Sequence, residues 1–178
     1  ALYNAGFSVL IAGYRGYGGN PGTPHEEGLY RDGQAYYEWL VGRTGINPGD
    51  IILYGESLGT GVAVKIAADN KAAGLVLETP FDSLTETAKI HYPYIAFIDA
   101  LLRDHFPSDQ HITKINMPVF IMIAGKDKVV PPERGRRLYE IARQPKQLQL
   151  FDGAAHNGLD SSKITSYLTE FAEKYVSR

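Results

Sequence analysis

A three-layer α/β/α sandwich around a mostly parallel sheet is the fold that this sequence predicts, and three observations predict it. Short apolar runs alternate with segments of helical period from Phe7 to Val176. The runs are continuous rather than alternating, as in strands buried on both faces. Turn signals rich in Gly, Pro, Asn and Asp separate them. Strand–helix–strand connections of this kind are right-handed and build parallel sheets covered on both sides. With 178 residues, one domain spanning 1–178 has enough chain to bury a core.

Taken in order, Phe7–Ala12 is the first expected strand, stopped by Gly13, and a Gly-rich loop runs on to Thr23. Glu26 to Arg43 repeats apolar residues at helical spacing through Leu29, Tyr36 and Leu40. Asn47-Pro48-Gly49-Asp50 is a turn signal, followed by a second buried strand over Ile51–Tyr54. Thr60 to Asn70 reads as a helix, Gly74–Leu77 as a third strand and Val119–Ile123 as a fourth. Glu133 to Ala142 is a helix whose start suits Pro131 and Pro132, Gln147–Phe151 a fifth strand, and Ile164 to Val176 a closing amphipathic helix. Residues 81–116 interrupt the pattern without a clear strand. An aromatic-rich excursion of that length suits a functional loop or short cap.

Composition excludes several function classes. Eighteen Lys and Arg against 20 Asp and Glu give a net charge of −2, without the basic excess of a nucleic-acid binder. The absence of cysteine removes disulfides, thiol nucleophiles and Cys-based zinc sites. It also agrees with a reducing compartment, so a cytoplasmic location is expected. No His, Asp and Glu grouping has metal-ligand spacing, and Gly13–Gly19 lacks the following Gly-Lys-Ser/Thr or helix of a nucleotide loop. No cofactor or metal is expected. No apolar run reaches the roughly 18–20 residues of a membrane span.

Chemistry concentrates at Gly55-Glu56-Ser57-Leu58-Gly59, directly between a strand and a helix. This G-x-S-x-G in strand–turn–helix context marks a sharp turn that lifts Ser57 Oγ from the sheet, with Gly55 and Gly59 allowing strand and helix to approach. The helix start behind it favours developing negative charge. A serine hydroxyl needs a base, and the base an orienting acid. Of five histidines, only His156 follows the last expected strand, at the carboxyl edge beside Ser57. Asp127, after the fourth strand, reaches the same edge; Asp82, after the third, is the alternative acid. Arg15 reads as a structural hydrogen-bonder or an anion ligand, and Arg134, Arg136 and Arg137 as a solvated basic face. Tyr92, Tyr94 and Phe97 lie in the excursion and suit either an acyl-binding cap or plain packing.

Gly13-Tyr14-Arg15-Gly16-Tyr17-Gly18, Gly55-Glu56-Ser57-Leu58-Gly59, Thr79-Pro80-Phe81-Asp82-Ser83-Leu84, Gly125-Lys126-Asp127 and Gly153-Ala154-Ala155-His156 together resemble the α/β-hydrolase superfamily, from about Phe7 to the C-terminus. The likeness is closest to its compact esterase- and thioesterase-like serine hydrolases. It implies Ser57 as nucleophile, Asp127 as acid and His156 as base, in that chain order. It further implies Leu58 N–H as an oxyanion donor and an ester or thioester of a small or lipid-like acyl group as substrate. A peptidase of the same fold and a non-catalytic binding protein are the alternatives. Dehalogenases of this fold carry Asp where Ser57 stands.

Family members also have strands before the Phe7–Ala12 segment, and a His-Gly-type loop whose N–H completes the oxyanion hole. By the likeness, both fall upstream of Ala1, as would any membrane anchor. One strand would lie between the first two seen here, which must otherwise pair directly or leave exposed edges. The 178 residues alone are therefore expected to be poorly stable or nearly inactive, one missing donor costing about 10²–10³ in turnover.

Overall fold

In the computed structural model, which describes residues 1–43 and 45–176, the parallel sheet has the strand order β1-β2-β3-β4. The strands are β1 Ile52–Glu56, β2 Gly74–Glu78, β3 Val119–Ala124 and β4 Lys146–Phe151. The helices are α1 Glu26–Val41, α2 Leu58–Asp69, α3 Leu84–His91, α4 Ile98–Leu101, α5 Ser108–Ile112, α6 Pro132–Ile141 and α7 Ser161–Tyr175. Register is in phase at the carboxyl ends, where Glu56 pairs with Glu78 and Glu78 with Met122. The loops after β1, β3 and β4 therefore open on one rim, which suits a site assembled from several strand ends.

The two-residue period of the strands divides the core. Leu75, Leu77, Ile121 and Ile123 face a cluster closed by Val64 and Ala67 of α2, Ile112 of α5 and Leu138 of α6. Their alternates Val76, Phe120 and Met122 meet Leu168 and Phe171 of α7 on the other face. A third cluster joins Leu29, Tyr30 and Tyr37 of α1 to Val62 and Ile66 of α2, with Phe81 and Phe106 between. β2 and β3 are buried throughout, which is why their sequences read as continuous apolar runs.

The predicted strand at Phe7–Ala12 is the main correction to the sheet. That segment is irregular and joins no ladder, with Val9 and Ile11 exposed by 52% and 84%. Strand character belongs to a pair rather than to a run of side chains, and among the described residues none forms a ladder with this one, whose Phe7 N–H donates only to the nearby Leu2 carbonyl. Nor does it pair with β1, which is an edge strand of the sheet.

Arg134 also departs from expectation. Rather than facing solvent, it donates to buried Asp82 at 3.1 Å and lies 3.8 Å from Glu86, clamping α6 to the 81–116 excursion. Arg136 and Arg137 do face solvent. Burial pushes the Asp82 carboxyl up, and Arg134 pulls it back. Arg15 is structural: its backbone and guanidinium all donate to Asp32, fixing the Gly-rich loop on α1. That pair holds the Asp32 carboxyl below its usual range.

Candidate active site

Ser57 occupies a backbone conformation that non-glycine residues seldom adopt, φ 49° and ψ −118°, at the point where β1 becomes α2. Three bonds over-determine it. Ser57 N–H donates to the Glu78 carbonyl at 3.0 Å, while the Ser57 carbonyl accepts from Thr60 N–H at 2.9 Å and from the Thr60 hydroxyl at 2.6 Å. The Ser57 side chain caps nothing in α2 and stays free for another partner. Leu58 begins the helix directly after Ser57, so its N–H has no intrahelical acceptor.

The two glycines of the turn differ in role. A Cβ on Gly55 would lie 2.5 Å from the Gly59 carbonyl oxygen and 2.7 Å from Thr60 Cα, so strand and helix touch there backbone to backbone. A Cβ on Gly59 would meet open space, contrary to the expectation that both positions require glycine. Gly55→Ala is therefore expected to cost about 3 kcal/mol in urea unfolding through overpacking. Gly59→Ala, inside a helix, should gain up to about 1 kcal/mol.

The acid and base arrive on two adjoining loops. Asp127 follows β3, and its Oδ1 accepts from Val129 N–H at 2.8 Å and Val130 N–H at 2.9 Å. Its Oδ2 lies 2.6 Å from His156 Nδ1, with the carboxylate side chain 1% exposed. His156 follows β4, and its Nε2 lies 2.8 Å from Ser57 Oγ. Lys126 N–H donates to the Ala154 carbonyl at 2.8 Å and Gly125 N–H to Phe151 at 2.9 Å, tying the loops together. A Cβ on Gly125 would lie 2.7 Å from Asp152 Cα, so this closeness depends on glycine.

The structure thus brings Ser57, His156 and Asp127 into one hydrogen-bonded row, with Leu58 beside it. The other histidines are engaged elsewhere: His25 with the Thr23 carbonyl, His91 with the Val129 carbonyl, His105 with Thr85, and His111 against the Tyr30 ring. Asp82 is held by Arg134, away from His156, and Asp160 caps α7 through Ser162 and Lys163 N–H. Tyr92, Tyr94 and Phe97 stand at the surface, the last two exposed by 79% and 85%. Tyr92 and Tyr94 contact each other edge to face at 6.3 Å. Among the described residues, none of the three shares a hydrogen bond or ring contact with Ser57 or His156.

Two residues at the site escaped the sequence reading. Glu78, the last residue of β2, is buried, and its carboxylate accepts the Tyr54 hydroxyl from β1. Burial pushes the Glu78 carboxyl up; the Tyr54 bond and His156 oppose that, and Glu56 adds to it. Burial, then the Glu78 carboxylate, pushes the Tyr54 phenol up. The available signal was an acid ending a strand apolar enough to be buried on both faces. Among the described residues no grouping of His, Asp and Glu has the geometry to hold a metal.

Comparison with known proteins finds hydrolases among those similar to this chain. Residues 107–161 match a family described as serine aminopeptidase, S33. An uncharacterised protein of Mycobacterium tuberculosis strain H37Rv is 44% identical over 97% of this chain, which spans 63% of that relative. Lysophosphatidylserine lipase ABHD12 of Danio rerio is 36% identical over 83% of the chain, which spans 42% of it. Among solved structures, an alpha-beta hydrolase from Vibrio vulnificus is 25% identical, with a TM-score of 0.72 over 90% of this chain and 61% of its own. Fold, strand-end loops and relatives agree: the chain belongs to the α/β-hydrolase superfamily, among esterase and lipase relatives.

Proposed function

We propose that the protein is a serine hydrolase that cleaves carboxylic ester or thioester bonds through Ser57, His156 and Asp127. The observation that carries this reading is the double engagement of His156, with Nδ1 2.6 Å from a buried carboxylate and Nε2 2.8 Å from a hydroxyl. In the tautomer that suits both contacts, Nδ1–H donates to Asp127 and Nε2 accepts from Ser57.

Ser57 Oγ then attacks the carbonyl carbon as its proton passes to Nε2, and Asp127 stabilises the imidazolium. Leu58 N–H donates to the oxyanion. The protonated Nε2 next gives its proton to the leaving alcohol or thiol, leaving an acyl-serine. Water, deprotonated by Nε2, attacks the acyl carbon and releases the acid, and Ser57 recovers its proton.

The lipase relative supports a lipid-like acyl ester as substrate class. A second reading, hydrolysis of a peptide bond, is favoured by the aminopeptidase description of the family matching 107–161. Turnover of p-nitrophenyl esters of increasing acyl length, set against aminoacyl p-nitroanilides, separates the two. Esters are expected to be the faster class. Anilides cleaved faster would establish the peptidase reading, and a folded protein inert to both classes and to a fluorophosphonate would overturn both.

A further inference from the structure

We propose that the aromatic lobe formed by residues 90–101 docks onto an anionic lipid–water interface. Ile90, Tyr92, Tyr94, Ile95, Phe97 and Leu101 are all exposed, within a single stretch of chain. Phe97 stands out twice: it is 85% exposed, and its φ of 57° is one that a bulky residue adopts only under strain. It precedes α4 without capping it through its side chain, so the helix gives no reason for the conformation. A soluble surface gains nothing from an aromatic ring held outward at a cost, whereas an interface takes up the ring. The edge-to-face pair of Tyr92 and Tyr94 adds side chains with an apolar body and a polar tip, suited to that boundary.

Charge selects an anionic interface. The lobe's own Asp99 shares Lys89 with Glu86, at 3.1 and 2.8 Å. Exposed Lys126 and Lys128 flank Val129, itself 55% exposed, and Arg103 follows Leu101 by two residues. None of these three cations has an ion pair among the described residues; of the exposed carboxylates around them, Asp99 is paired with Lys89, leaving Glu133 and Asp152. The lobe is also joined to the proposed reaction centre. His91 Nε2 lies 2.8 Å from the Val129 carbonyl, and Val129 N–H donates to Asp127.

This inference goes beyond hydrolysis and is tested without it, in the Ser57→Ala protein, by co-sedimentation with vesicles. Vesicles of phosphatidylcholine plus phosphatidylserine are expected to carry the protein down, and phosphatidylcholine alone to do so weakly. Phe97→Ser and Leu101→Ser should each weaken partitioning about tenfold. Lys128→Ala should weaken it about fivefold on the anionic vesicles only. Unchanged circular-dichroism melting of each variant shows that folding is intact. Equal sedimentation of wild type and all three variants would overturn the proposal. So would a protein that ignores both vesicle types, or one that instead self-associates through Phe97 in light scattering. Loss of docking leaves fluorophosphonate labelling of wild type unaffected, so the two readings fail separately.

Discussion

Replacing Ser57 by Ala is expected to lower ester turnover by about 10⁴- to 10⁶-fold and to abolish labelling by a fluorophosphonate. The hydroxyl's hydrogen-bond partner is His156 Nε2 at 2.8 Å, so its removal costs the reaction its nucleophile and the fold very little. Stability should change by less than about 1 kcal/mol. The strained turn is held by backbone bonds to Glu78 and Thr60, and an alanine keeps those bonds. The measurement therefore separates chemistry from folding. Labelling that persists in a folded Ser57→Ala protein would remove Ser57 from the mechanism.

Asp127→Asn is expected to cost about 10⁴-fold in kcat with the structure retained. The reason lies in the two oxygens. Oδ1 accepts two backbone N–H groups, from Val129 and Val130, so an asparagine must turn its carbonyl oxygen that way. Its amide nitrogen then faces His156 Nδ1 and donates where the carboxylate accepted. The imidazole is forced into the tautomer with its proton on Nε2, opposite Ser57, where no base remains. Measured kcat within tenfold of wild type would show that Asp127 does not set the tautomer.

Much of this site was legible in the sequence because its parts are local. Gly55 to Gly59 sits between a buried strand and a helix, and Asp127 and His156 each follow a strand that the sheet must place on the same rim. What was hidden depends on distant partners. The run Phe7–Ala12 has the composition of a strand, yet a ladder requires a neighbour that composition does not reveal. Arg134 looked solvated because nothing near it in the chain announces Asp82, 52 residues away, as its partner. Gly59 matched a motif, but only the packing around it distinguishes a glycine that is sterically required from one that is not. Tyr92, Tyr94 and Phe97 had the chemistry of a pocket lining, and their exposure became apparent only in three dimensions.

The stitching of the Asp127 and His156 loops has a mechanical consequence. Carboxylate and imidazole ride on one unit, bound backbone to backbone at Lys126–Ala154 and Gly125–Phe151, whereas the hydroxyl is anchored separately on β2 and α2. The two supports meet in the ladder between β2 and β3, so the gap between Nε2 and Oγ is set by how those strands are held together. A substitution that shifts β2 against β3 is expected to change that distance before it disturbs the carboxylate–imidazole pair.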